Sequence, residues 1–327
     1  MTQGLKQQIL TRTRDDLAAI EAALRENLTP YFEKVSEIAG HILFNGGKRF
    51  RPLLFVLCAR ISSYKGSDDK LFSIIFEYFH TATLLHDDLV DDATVRRGHP
   101  VAHKVWDNAS AVLVGDFLIA RASSIAVKTG EMEIIRILAS VTEMMSQGEI
   151  HQLARKGAVD LTEAEYRIII KNKTAVLIEG ACRAGGVVAG ASAAEINALA
   201  EFGMNLGMAF QMADDLLDYR ADTRDLGKRV GTDLREGKFT LPLIYTLAQA
   251  APADAAFIRD IAGTPDFTEE SFAALKVLLD KYGGLAYTEQ CADEHVRKAQ
   301  EALSVFPASE TKTLLEMLAA YTVSRKT

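Results

Sequence analysis

Apolar residues recur along this chain at steps of three and four. Segments 71–87 (LFSIIFEYFHTATLLHD), 111–127 (AVLVGDFLIARASSIAV), 131–154 (EMEIIRILASVTEMMSQGEIHQLA) and 196–219 (INALAEFGMNLGMAFQMADDLLDY) all carry that period. It is the period of a helix with one face turned inward. Several of these stretches are apolar nearly all round, as in the middle of a large bundle. Strand-type alternation is hard to find, and there are only seven prolines. Thr162 with Glu165, and Ser192 with Glu195, have the spacing of capping boxes ahead of apolar runs. Thr268, followed by Glu269 and Glu270, reads as an N-cap with acids in the first turn. The polar breaks FNGGKRFRP, SYKGSDDK and DDATVRRGHPVAHK are short, and only DTRDLGKRVGTDLREGK is long. The pattern predicts an all-α, single-domain, multi-helix bundle over residues 1–327, with no interdomain linker. The long, glycine-punctuated break is the natural closing element over a site.

Composition narrows the function. A net charge of −7 offers no basic face, so no nucleic acid partner is expected. The first residues, MTQGLKQQILTRTRDDL, lack the apolar core of a signal peptide. No membrane span is expected either: the run GGVVAGASAA is broken by glycines, and no apolar stretch reaches the roughly 18 residues a span needs. Cys58, Cys182 and Cys291 are odd in number and far apart. They read as buried structural thiols in a cytoplasmic protein rather than as a disulfide framework.

Residues 84–98, LLHDDLVDDATVRRG, hold four aspartates and two arginines. On a helix, Asp87/Asp91 and Asp88/Asp92 are like-charge pairs, each unfavourable by about 0.2–0.5 kcal/mol. Chemistry is the better explanation, because the same D-D-x-x-D spacing returns as Asp214, Asp215 and Asp218 in FQMADDLLDY. Each copy ends an apolar helical segment. Carboxylates select hard cations such as Mg²⁺, which is usually held by one or two carboxylates, waters and substrate phosphate oxygens. The two clusters therefore predict a phosphorylated ligand. Candidate cations for its remaining charge are Lys48 and Arg51 in GGKRFRP, Arg96 and Arg97 in TVRRG, Lys173 in NKTA, and Lys228 and Lys238 in the long break. There is no P-loop, no calcium-loop ligand order and no G-x-S-x-G elbow. A di-iron site would need two Glu-x-x-His motifs, and only Glu77 with His80 fits. His86-Asp87 has the look of a metal phosphohydrolase dyad but lacks good further histidine ligands. A charged head and an apolar tail suit what remains.

GGKRFRP, HDDLVDDATVRRG, GDFL, KTA, FQMADDLLDY and GKRVGTDLREGKFTLP, in this order, resemble the trans-prenyl diphosphate synthases, nearest to their long-chain, octaprenyl-forming bacterial members. The resemblance runs from Gly46 to Pro242. It implies the isoprenoid synthase type of helical bundle around a central cavity, a homodimer and three Mg²⁺ ions. The implied reaction joins isopentenyl diphosphate to an allylic diphosphate such as farnesyl diphosphate, for use in ubiquinone or menaquinone side chains. By the same resemblance, Asp87, Asp88, Asp91, Asp214, Asp215 and Asp218 hold the metals. Arg96, Lys173 and Lys228 contact the allylic diphosphate, and Lys48, Arg51, His80 and Arg97 hold isopentenyl diphosphate. Thr174 and Gln211 lie near the developing cation, Lys238 helps close the loop, and Gln152 is a further polar contact. Asp92 has no role in this scheme.

Ala82 and Thr83 lie about one helical turn behind Asp87. In short-chain members bulky aromatics here floor the pocket. Both residues are small in this chain, so a long product of about eight isoprene units is expected. Phe76, Tyr78 and Phe79, further back, are expected to pack the core. A shorter, geranylgeranyl product is the first alternative. A terpene cyclase is disfavoured by the second D-D-x-x-D motif, and a non-catalytic subunit by the integrity of both motifs.

Overall fold

The computed structural model describes residues 2–220, 231–264 and 266–324. It is all-α apart from one short ribbon. The first helices are α1 (Thr2–Asn27), α2 (Glu33–Leu43), α3 (Phe50–Ile61) and α4 (Asp69–Val90). A ribbon of β1 (Val95–Arg96) and β2 (His99–Pro100) leads to α5 (Ala102–Val105), α6 (Asn108–Lys128), α7 (Met132–Ala154) and α8 (Glu163–Ile170). A π-helical turn, Lys171–Ala175, joins α8 to α9 (Val176–Val188), and α10 (Ala193–Arg220) follows. Beyond it come α11 (Thr232–Arg235), α12 (Leu241–Gln249), α13 (Pro252–Ala262), α14 (Glu269–Lys281), α15 (Gly284–Ala302) and α16 (Glu310–Ser324).

Helices α3, α4, α9 and α10 form the centre: α3 packs on α4 and α9, and α10 packs on α9 and α15. Their side chains build the larger apolar cluster, in which Phe55, Phe76, Tyr78 and Phe202 are fully enclosed. The buried Tyr78 hydroxyl is satisfied by donating to the Leu24 carbonyl at 2.7 Å. A second cluster gathers Tyr166, Met212, Tyr219, Phe272 and Leu275 around the far end of α10. The site lies where these two clusters meet.

The expected caps form. Thr162 and Glu165 bond reciprocally at the start of α8, as do Ser192 and Glu195 before α10, and Thr268 accepts from the Ser271 amide. The three cysteines are buried thiols. Two features differ from expectation. The ribbon is one: Arg96 pairs with His99 across a two-residue turn in which Arg97 (φ 52°) and Gly98 (φ 80°) are both left-handed. That is the twist a tight hairpin requires, but two-residue strands are too short to show alternation. Helix α6 is the other, being long and apolar enough by length and composition to cross a membrane. It packs along α4 and includes Asp116 and Arg121.

Candidate active site

The ends of α4 and α10, the middle of α7 and the π turn enclose a cavity of about 490 Å³. Asp87, Glu149, Lys173 and Asp214 line it, with Arg51 and His80 beside them. Thr83 and Phe79 stand on its wall one and two turns behind Asp87, and Met145 and Thr142 stand behind Glu149 on α7. One wall is thus charged, and the remainder is largely apolar with the hydroxyls of Thr83, Thr142 and Ser146 among its side chains.

The π turn explains how neighbouring residues share this cavity. Its extra residue per turn lets both Lys173 and Thr174 reach the lining, and such turns recur at functional sites. Two glycines make room for it. A Cβ on Gly207 would lie 2.5 Å from the Ala175 Cα, and one on Gly148 would lie 2.8 Å from the Lys173 amide nitrogen. The Lys173 ammonium donates to Gln152 Oε1 and pairs with Glu149, both at 2.6 Å. Thr174 donates to Gln211 Oε1 at 2.9 Å.

The six motif aspartates divide by placement. Asp87 and Asp214 share the cavity; the other four do not line it. Asp88 is buried, and Arg96 grips both its oxygens through Nε at 2.9 and 3.0 Å. Asp91, the residue just past the end of α4, pairs with Lys238 at 2.9 Å, and Lys238 also holds Glu236 at 2.7 Å. Asp215 is buried, accepting from the Tyr166 hydroxyl at 2.5 Å and from Gln211 Nε2 at 2.9 Å. Asp218 accepts from the Thr232 and Asp233 amides at 3.0 and 3.1 Å, so it caps α11. Asp92 is an exposed acid paired with Lys104 at 2.7 Å.

Burial sets the electrostatics. It pushes the Asp87 carboxyl up to about 6, with Glu149 and Asp91 adding to the shift and Lys173 and Arg96 opposing it. Burial likewise lifts Asp215 to about 7. Asp233 is raised by burial and then by Asp218 and Asp215. Lys238 loses hydration, but Glu236 and Asp91 outweigh that and hold it firmly charged. On the other flank, burial and then Arg51, Arg97 and Arg96 drive His80 well below the usual imidazole range. Burial lowers Arg51 to about 10, and its buried Nε has no hydrogen-bond partner among the described residues. Arg51 lines the cavity beside His80, and the charges of Arg97 and Arg96 reach the imidazole from nearby, a positive setting suited to a multiply charged anion.

Lys48 lies elsewhere, on an apolar groove with Leu10, Phe50 and Tyr321. Arg97 donates to the Gly46 carbonyl at 2.5 Å, tying the ribbon to the glycine loop. Lys228 falls outside the described residues. Ala82 is enclosed in the core and does not line the cavity, whereas Thr83 and Phe79 do. The expectations that Ala82 leaves room for a tail and that Phe79 only packs the core are corrected accordingly. Glu149, Tyr166 and Asp233 went unassigned in the sequence. Glu149 stands three residues before Gln152, and Tyr166 seven before Lys173, so helical phase was the available signal.

Among the described residues, no three carboxylate, imidazole or thiol groups converge to hold a bare metal ion. Oxygen-only donors and a half-buried Asp87 facing the cavity nevertheless fit Mg²⁺ that brings phosphate oxygens with it. A model of the polyprenyl synthetase family matches residues 32–278.

The chain belongs to the polyprenyl synthetase family.

It is a polyprenyl diphosphate synthase, a prenyltransferase. It is 37% identical over 313 residues to octaprenyl diphosphate synthase of Escherichia coli (strain K12), covering 96% of this chain and 97% of that one. It is 34% identical to a short chain isoprenyl diphosphate synthase of Methanothermobacter thermautotrophicus, covering 92% of both chains. A crystal structure of polyprenyl synthase from Caulobacter crescentus CB15, complexed with calcium and isoprenyl diphosphate, superposes with a TM-score of 0.92. Its sequence is 39% identical, and the match covers 98% of each chain.

Proposed function

We propose that this synthase condenses isopentenyl diphosphate onto an allylic diphosphate, such as farnesyl diphosphate, and repeats the step to an all-trans product of about eight isoprene units. The observation that carries this is the cavity itself. Asp87 and Asp214 face it together, Arg51 and His80 stand beside them, and its far end is lined largely by apolar side chains such as Phe79, Ile119 and Met145. The divalent cation and diphosphate found with the Caulobacter relative support the pairing of carboxylates with a metal-bound diphosphate.

Magnesium, when bound, supplies charge stabilisation for the departing diphosphate. Asp87 and Asp214 would hold it from the cavity, and Asp91 from the helix end. Asp88, Asp215 and Asp218 would orient their neighbours. Lys173 and Arg96, with Lys228, would take the oxygens of the allylic diphosphate. Arg51, His80 and Arg97 would hold isopentenyl diphosphate; Lys48, on the separate apolar groove, stands apart from this set. The allylic carbon–oxygen bond breaks with its electron pair going to the diphosphate. The double bond of isopentenyl diphosphate then attacks the allylic cation, and the proton lost afterwards goes to the departed diphosphate. Thr174 and Gln211 would face the cation with oxygen lone pairs. Lys238, pinned to Asp91, would help close the charged break that it ends over the site, because water would trap the cation.

Incubation with Mg²⁺, farnesyl diphosphate and labelled isopentenyl diphosphate tests this, with products resolved by length. Labelled chains near octaprenyl support it, and no incorporation refutes it. The short-chain relative favours a second reading in which elongation stops near geranylgeranyl; the same assay separates the two. A cytoplasmic homodimer completes the proposal. The α6 surface leaves Leu113 and Val127 64% and 63% exposed, and Ile150 on α7 is 66% exposed. A second copy of the chain would cover such a face.

A further inference from the structure

Tyr166 lies off the 490 Å³ cavity, yet it begins a line of hydrogen bonds that ends there. Its hydroxyl donates to Asp215 Oδ2 at 2.5 Å, and both side chains are buried. Asp215 Oδ1 accepts from Gln211 Nε2 at 2.9 Å, and Gln211 Oε1 accepts from the Thr174 hydroxyl at 2.9 Å. Gln211 and Thr174 both line the cavity.

The direction of this line matters. A glutamine amide has two ends of nearly the same shape, one accepting and one donating. With both oxygens accepting, Asp215 draws the nitrogen end of Gln211 towards itself. The oxygen end then turns to Thr174 and takes up its hydroxyl proton. If the amide were reversed, N–H groups would stand where oxygen now stands. Near a developing allylic cation, oxygen lone pairs lower the barrier and N–H dipoles raise it.

We propose that Tyr166 and Asp215 are positioning residues that fix the polarity of the Gln211–Thr174 pair towards the reacting cation. The proposal rests on the condensation reaction proposed above. Tyr166 holds Asp215, Asp215 orients the amide, and neither touches the substrate. The local sequence supports the arrangement. The capping box at Thr162 starts α8 in register, and Tyr166 then falls two turns before Lys173 on the face turned to α10.

The test is a double-mutant cycle of Tyr166→Phe and Asp215→Asn, assayed with farnesyl and isopentenyl diphosphates. Loss of an orienting partner of this kind costs about tenfold to a hundredfold. Each single variant should therefore lose kcat by that much, with KM for both substrates changed less than about threefold. The double variant should be no slower than the slower single one, since both changes break the same line. If Tyr166→Phe folds poorly, Asp215→Asn alone is decisive, because its amide can present N–H to Gln211 and turn it over. Binding of Mg²⁺ with inorganic diphosphate, read as a rise in melting temperature, should persist in Tyr166→Phe. Additive losses, an unchanged kcat in either single variant, or loss of that thermal shift would overturn the proposal. Wild-type protein that incorporates no isopentenyl diphosphate would instead overturn the underlying condensation reaction.

Discussion

At the scale of single residues, Asp87 is held in a state that costs stability in the absence of metal. Its folded carboxyl titrates near 6, against an ordinary value of 3.8, chiefly because it is buried. Between those two values the folded protein binds more protons than the unfolded chain. Stability from this group is therefore highest at low pH and falls as pH rises through about 6. Asp87→Asn removes that cost. Without metal, the variant should melt above wild type at about pH 8, and the gap should narrow as pH falls below about 6 and close only below about 4. Mg²⁺ with inorganic diphosphate should reverse the order, since only the wild type regains the energy of ionisation. Thermal melts of both proteins, with and without these ligands, check the sign at each pH. The same variant should lose turnover by about a hundredfold or more while remaining folded, as should Asp214→Ala.

At the scale of elements, the helices were legible because each buries a face and so writes its period into the sequence. The two aspartate motifs were legible because the same spacing occurs twice. Their division of labour was not. Nothing in D-D-x-x-D says that Arg96 takes Asp88, that Tyr166 and Gln211 take Asp215, or that Asp218 caps α11. Those partners come from distant segments. The π turn was hidden too, because NKTA looks like ordinary helix and its cause lies in glycines on α7 and α10. Gly207→Ala tests that cause. A Cβ 2.5 Å from the Ala175 Cα leaves no room for the turn. Overpacking of this kind costs about 1–3 kcal/mol, read from denaturant melts. Activity should fall as well, because Lys173 and Thr174 both depend on the turn. An alanine variant of full stability and activity would show that the two helices can part without harm.

At the scale of the whole molecule, the exposed apolar face of α6 and the depth of the cavity bear on assembly and product length. The proposed homodimer uses this face, so replacing the exposed Leu113 by Asp should shift sedimentation towards the monomer value with the helical signal retained. Product length depends on which side of α4 meets the tail. Successive helix positions turn about 100°. Thr83, four residues before Asp87, therefore lies about 40° from it around the axis, while Ala82 lies about 140° away. The structure agrees with this phase: Thr83 is on the cavity wall and Ala82 is enclosed among core side chains. A bulky ring at Thr83 would stand directly behind the aspartate and block a growing chain. One at Ala82 would instead overpack the core, at a cost of about 1–3 kcal/mol. Thr83→Phe should thus shorten the dominant product towards C15–C20 diphosphates at near-normal stability. Ala82→Phe should lower the melting temperature with a smaller effect on length. Chromatography of the dephosphorylated products decides between them. Unchanged length in Thr83→Phe would mean that the tail leaves the cavity by another wall, along the α7 face of Thr142 and Met145.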